Sequence, residues 1–225
     1  AANHFERAFQ YAPTDPKAVA NVALAKFLRG DYAAAAKLAQ QAMQADTEAK
    51  TSASAIYLES VARLQAYQDV EELIDERYLE NLDYLRVAGV IFLWIKNYAK
   101  AEEMLRRALL REPDDVGSLM LLAQVLFFQR RERLMKQVFV SEQEAEVFVP
   151  ELEEPVSLVN HAIALTEKRD NRKQLHDALA GRAGLLAAKG DFSHAAQDSD
   201  RVLAEEPTHP MALYNRGLVA LQLND

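Results

Sequence analysis

The residues best suited to metal ligation or proton transfer are the histidines at positions 4, 161, 176, 194 and 209. No two of them show the His-x-x-x-His spacing that puts two imidazoles on one helix face. His176 and Asp177 are adjacent, and helix neighbours point in different directions, so the pair reads as structural. Glu142, Glu144 and Glu146 alternate along the chain, and a helix would scatter them over different faces instead of gathering them around a cation. The absence of cysteine excludes disulfides, thiolate zinc sites and a cysteine nucleophile. There is no glycine-rich phosphate loop and no nucleophile elbow. Arg130, Arg131, Arg133 and Lys136 could hold a phosphate or an acidic peptide. They read better as a solvated turn, or as the counter-charge to residues 142–154, which hold six Glu and no Lys or Arg. No constellation meets the geometry of catalysis. The expectation is a non-enzyme with no cofactor and no metal.

The chemistry must therefore lie in surfaces, and composition says which kind. The chain has 225 residues, half of them hydrophobic, with seven Gly and seven Pro. Ala, Leu, Glu, Gln and Arg are abundant, and all favour helix. Val, Ile and Thr do not alternate over strand lengths, so no sheet is expected. The net charge of −8 disfavours non-specific binding to nucleic acid or an anionic membrane. No apolar run reaches the length of a membrane span. The N-terminal residues lack the basic and apolar regions of a signal peptide. The compartment is left open between cytoplasm and periplasm.

Three short turns are alike: Gly30-Asp31-Tyr32, Lys96-Asn97-Tyr98 and Gly190-Asp191-Phe192. Each separates two amphipathic stretches. The first residue closes a helix in the left-handed region, where Gly is at ease. Asp or Asn then caps the next helix through its side-chain oxygen. Three residues after each aromatic stands a small residue, Ala35, Ala101 or Ala195. Further on, Ala42, Ala108 and Val202 recur at one position, and Thr47, Pro113 and Pro207 at another. The first helices carry their own small residues at Ala23, Gly89, Ala123, Ala183 and Gly217.

This pattern resembles the tetratricopeptide repeat, a helix-turn-helix unit of about 34 residues. The resemblance implies an all-α solenoid of antiparallel hairpins, a superhelix of about six repeats with one irregular insertion. Residues 16–49, 82–115 and 176–209 read as full repeats, and 50–81 as a shorter one of uncertain register. Residues 1–15 read as a second helix alone, with Phe5, Ala8 and Pro13 in the expected columns, and 210–225 as a first helix alone. A chain bounded by half-repeats is expected to be a segment of a longer protein, with uncapped ends that offer a face to a second copy.

The array breaks between Val116 and His176, an interval much longer than one repeat. Within the irregular unit 116–175, a first helix is expected over 116–129. The basic segment Arg130-Arg131-Glu132-Arg133 then stands where the Gly-Asp turn would be. A second helix is expected to run to about Glu146. Residues 147–155 hold prolines at 150 and 155 and cannot form one helix. A further helix is expected over about 156–168, ending in a turn at Asp170-Asn171. The first helix is apolar nearly all round, so it is expected to be covered on all sides.

The resemblance also implies a concave groove lined by first helices, which takes an extended or helical peptide. Its columns fall on Ala20, Leu24, Phe27 and Leu28; on Arg86, Val90, Leu93 and Trp94; on Met120, Gln124, Phe127 and Phe128; and on Tyr214 and Leu218. One Arg among these residues makes an apolar groove. A carboxylate clamp is not expected near Asn215-Arg216, because Ala180 and Gly184 stand where Lys and Asn would be needed. The functional expectation is a scaffold that binds a protein or peptide partner. The alternative is a regulatory segment whose groove is filled by residues 147–155.

Overall fold

The computed structural model describes residues 9–45, 48–65, 70–136 and 151–223. Those residues form helices, with no strand among them. The fold is all-α, a solenoid of helical hairpins, and it divides into two compact units, Ala1–Arg111 and Glu112–Asp225. The first unit contains α1 (Pro16–Leu28), α2 (Tyr32–Met43), α3 (Glu48–Leu64), α4 (Val70–Leu73), a 3-10 turn (Glu76–Tyr78), α5 (Leu82–Trp94) and α6 (Tyr98–Arg111). The second contains α7 (Val116–Lys136), α8 (Glu153–Lys168), α9 (Arg172–Ala188), α10 (Phe192–Glu205) and α11 (Pro210–Leu223).

The hairpin turns work as their residue types require. Gly30, Lys96, Asp170 and Gly190 all have positive φ, at 81°, 60°, 49° and 84°. At the first turn, Gly30 N–H donates to Phe27 O at 2.9 Å and Asp31 N–H to Lys26 O at 3.0 Å. These two bonds satisfy carbonyls that the end of α1 leaves open. The next helix is then capped by a carboxylate or amide oxygen: Asp31 accepts from Ala34 N–H, Asn97 from Lys100 N–H, Asn171 from Gln174 N–H and Asp191 from His194 N–H. Asp170-Asn171 is thus a fourth turn of the same kind.

In the first unit the core between α1, α2 and α3 is built from short side chains: Val19, Ala20, Ala23, Ala39, Ala42, Ala49 and Ala53. Short side chains let the helix backbones approach closely. Further along, Gly89 performs the same service. A Cβ there would lie 2.7 Å from Leu105 Cγ, so only glycine admits α6 at this distance. Residues 50–81 do not contain a full second helix among those described. After α3 come only α4 and the 3-10 turn. Tyr84 of α5 holds that segment: its hydroxyl accepts Asp75 N–H at 2.9 Å, and its ring lies 5.5 Å from that of Tyr78. Burial pushes the Tyr84 phenol above its ordinary pKa. Among the described residues no long second helix lies between them, and α3 packs directly on α5 as well as on α1 and α2.

The second unit corrects two expectations. The basic segment 130–133 is not a turn, because α7 runs unbroken from Val116 to Lys136. Arg and Glu are good helix formers, and no glycine interrupts them. The following helix begins at Glu153, ahead of the expected 156. Pro155 falls in its first turn, where the missing N–H costs no hydrogen bond. Glu153 and Glu154 favour the same start through the helix dipole. Most of the second helix expected up to about Glu146, together with Phe5, Ala8 and residues 147–150, lies outside the described residues. Helix α8 packs on α7 and α9. The core there is bulkier, with Val159, Ile163, Leu175, Leu179, Leu185 and Val202. None of the described helices is long and apolar enough to cross a membrane.

Candidate functional site: a cleft between three first helices

Helices α1, α3 and α5 together line an open cleft of about 400 Å³. Helix α1 gives Ala20, Asn21, Leu24 and Phe27; α3 gives Ser52, Ala55, Ile56 and Glu59; α5 gives Asp83, Arg86 and Val87. On α3 the set repeats at the three- and four-residue intervals of a single helix face. Ala20 and Ala55 are buried and short, so they form the floor. Leu24, Phe27, Ile56 and Val87 form the walls.

The rim is charged. Arg86 pairs with Asp83 one turn away on α5. Glu59 accepts from Arg63 at 2.8 Å on α3. The Arg63 guanidinium also lies 5.4 Å from the Phe27 ring centroid and 5.3 Å from that of Tyr32. The two rings are themselves 5.5 Å apart. Phe27 is therefore held by an aromatic neighbour and a cation, and presents a fixed wall.

The sequence-derived groove residues divide by location. Ala20, Leu24, Phe27 and Arg86 line the cleft. Leu28, 74% exposed, and Trp94, 63% exposed, stand outside its lining, as do Val90 and Leu93. The lining is also more polar than those columns suggested, because Asn21, Ser52, Glu59 and Asp83 join it. The α3 residues escaped the sequence reading because the register of 50–81 lacks its Gly-Asp turn. The signal that could have found them was the spacing Ser52, Ala55, Ile56, Glu59.

In the second unit the same columns are used differently. Met120 and Phe127 pack against the core of that unit. Met120 Cε would sit 2.8 Å from a Cβ placed on Gly181 of α9, so glycine there makes room for the methionine. Phe128 stacks at a tilt on Phe127 with centroids 5.6 Å apart. Gln124 is exposed, and Tyr214 is 66% exposed on α11, with Leu218 also on the surface. Asn215 is buried and donates to Ala180 O at 2.8 Å, so its amide is committed to the packing of α11 on α9.

The charged groups of this unit tie helices together. Arg182 of α9 donates to both oxygens of Asp198 on α10 at 2.7 Å, and to Asn160 Oδ1 on α8 at 2.8 Å. Asp198 accordingly holds the guanidinium pKa above its ordinary value. His176 is buried with Nδ1 3.3 Å from Glu206 and Nε2 3.2 Å from Glu205. Glu205 also accepts from Arg172 at 2.8 Å. Its carboxyl lies below its ordinary pKa because Arg172 and His176 outweigh desolvation. Arg130 and Arg133 of α7 meet Glu151 and Glu154. Arg130 and Arg133 of that cluster thus serve as counter-charge at the start of α8. Residues 151–155, the described part of the segment expected as an internal groove filler, belong to this junction, with Leu152 fully buried. Among the described residues no group of three His, Asp or Glu could hold a metal ion.

A family model described as tetratricopeptide repeat matches residues 95–132. The fold extends that likeness. The chain superposes on YrrB, described as a TPR protein with an unusual peptide-binding site, with TM-score 0.54 and 18% identity, covering 96% of this chain and 100% of that one. Residues 95–132 match a tetratricopeptide repeat, and the chain as a whole shares the fold of tetratricopeptide-repeat proteins. It also resembles a monomeric mutant of IFIT1 solved with Gppp-AAAA, with TM-score 0.71 and 15% identity over 90% of this chain. Yeast Tom70 matches with TM-score 0.50 and 17% identity over 100% of this chain. The repeats here span 45% of the IFIT1 chain and 51% of the Tom70 chain. At these identities the likeness is one of fold. No curated protein sequence matches the chain.

Proposed function

We propose that this chain is a protein-interaction scaffold, and that it holds a peptide segment of its partner in the cleft between α1, α3 and α5. The observation that carries the reading is a socket with a small-residue floor, apolar walls and a polar rim, left open by side chains too short to close it. That is the general form of a ligand site: mostly apolar, with a few polar groups that fix orientation. YrrB, a repeat protein of like fold with a peptide-binding site, lends support by analogy.

A selection of random 12-residue peptides displayed on phage, against the whole chain, tests the reading. Winning peptides should bind the native chain and lose at least about tenfold in affinity to Ala55→Leu, whose larger side chain fills the socket. Thermal melting of the variant establishes that it remains folded. Peptides that bind the folded variant as well as the native chain would refute the cleft as the site.

A further inference from the structure

We infer that one edge of the first unit, where α1, α3 and α5 end, docks on an anionic phospholipid bilayer by seating Leu28, Leu64 and Trp94 in its interface. The inference is independent of the cleft and of what the cleft holds.

Three helices finish at this edge. Arg63, near the end of α3, lies over the ring of Phe27, near the end of α1. At the other end of the unit, the Asp75 carboxyl is held below its ordinary pKa by Arg77 and more weakly by Lys50, at the start of α3. Asp75 N–H donates to the Tyr84 hydroxyl at the start of α5. Helices α1, α3 and α5 therefore run parallel and end together.

Their last residues are apolar and in solvent. Leu28, Leu64 and Trp94 are each more than half exposed, and Ile95 adds a partly exposed branch. None of the four lines the cleft. Neighbouring helix axes lie about 8–10 Å apart, so these side chains stand as separate points along an edge and do not wall one pocket. A protein partner would need a socket for each point. A bilayer interface needs none, because it is fluid. It takes Leu into the acyl boundary and Trp at headgroup level, and removes both from water.

The charge at the edge suits anionic headgroups. Lys26 lies in the last turn of α1 and Lys96 in the turn after α5. Neither enters an ion pair among the described residues. Arg63 offsets Glu59, to which it donates at 2.8 Å, and Arg29 offsets Asp31 in the turn after α1. The two lysines are left in excess. Each Lys near an anionic surface strengthens binding by about fivefold. The net charge of −8 comes almost wholly from residues 112–225, outside this unit.

The probes are large unilamellar vesicles of phosphatidylcholine, alone or with about one-third phosphatidylserine, titrated into the whole chain. Trp94 is the sole tryptophan, so its emission reports the edge directly. With the anionic vesicles the emission should shift to the blue and be quenched by brominated lipid, and the chain should float with the vesicles. Partitioning should be at least about tenfold weaker on phosphatidylcholine alone, and weaker to the same degree in the double variant Lys26→Gln, Lys96→Asn. Asn tolerates the left-handed backbone at 96. The double variant Leu28→Ala, Leu64→Ala should lose at least about fivefold. All four side chains project from helix ends, and unchanged melting temperatures establish that both variants fold. Equal partitioning to neutral and anionic vesicles, or indifference to the lysine pair, would overturn the inference. Flotation without quenching of Trp94 would place the contact on another surface and overturn it too. Silence toward both vesicles would assign the edge to a protein partner and overturn it outright.

Discussion

The first unit ties its charged side chains mostly along single helices, and the second ties them between helices. Arg63–Glu59, Arg86–Asp83 and Arg106–Glu102 are pairs within α3, α5 and α6. Arg182–Asp198, Arg201–Glu167, Arg172–Glu205 and Arg216–Asp200 join one helix to another. The packing differs in the same sense. Alanine lines the core between α1, α2 and α3, and larger aliphatics fill the core around α9. Where Ala20 leaves a socket, Met120 closes one. A single repeat plan therefore yields an open surface or a locked one, depending on side-chain length in a few columns. The net charge divides too: residues 1–111 are nearly balanced, and carboxylates dominate 112–225.

The sharpest way to break this contrast is to cut one tie of each kind. Asp198→Ala strands the half-buried Arg182 and should destabilise the second unit by about 2–4 kcal/mol. Glu59→Ala, on a partly buried pair along one helix, should cost under about 1 kcal/mol. Urea unfolding of each variant measures both. Equal losses would erase the distinction between locked and open units.

Next in size is the same substitution made in each unit. Gly89→Ala drives a methyl into the branch point of Leu105 and should destabilise by about 1–2 kcal/mol after the gain in helix propensity. Gly181→Ala meets only the flexible end of Met120, so the same propensity should leave it neutral or more stable by up to about 1 kcal/mol. Melting temperatures of the two variants should move in opposite directions, or only the first should fall. A third change tests the turns. Lys96 holds the left-handed position that Gly30 and Gly190 hold elsewhere, so Lys96→Gly should stabilise by about 0.5–1 kcal/mol.

The smallest effect is acid dependence at the caps. His194 holds the Asp191 carboxyl below its ordinary pKa, and Arg77 does the same for Asp75. Each contributes stability that is complete above the ordinary carboxylate pKa and is lost as pH falls from there through the lowered value. Both groups are largely in solvent, so the contribution is small. Asp191→Asn keeps a capping oxygen and should only flatten the decline in melting temperature between about pH 5 and pH 3. A steeper decline in the variant would reverse the sign of this account.

Much of the fold was legible because local chemistry decides it. Asp31, Asn97 and Asp191 cap the helices that their positions in the turns imply, and Gly30 and Gly190 take the left-handed conformation. The irregular parts were not legible for equally physical reasons. Arg130 to Arg133 replace a turn in the repeat plan, but nothing in those residues stops a helix. Pro155 reads as a breaker from sequence, yet in a first turn it breaks no bond. The candidate cleft was half legible. The first helices of α1 and α5 gave Leu24, Phe27 and Arg86. The α3 face was hidden because the sequence of its repeat lacks the Gly-Asp turn and, among the described residues, there is no long second helix to set a register. Sequence columns also cannot show whether a side chain such as Met120 opens a groove or turns inward to fill one.

The central claim is that the open unit, and not the locked one, holds the partner. The most direct measurement is methyl NMR of the whole chain titrated with a selected 12-residue peptide. The account predicts shifts confined to Leu24, Ala55, Ile56 and Val87, with Met120 and Leu218 unmoved. Shifts centred on Met120 or on α11, with the α3 methyls silent, would contradict it.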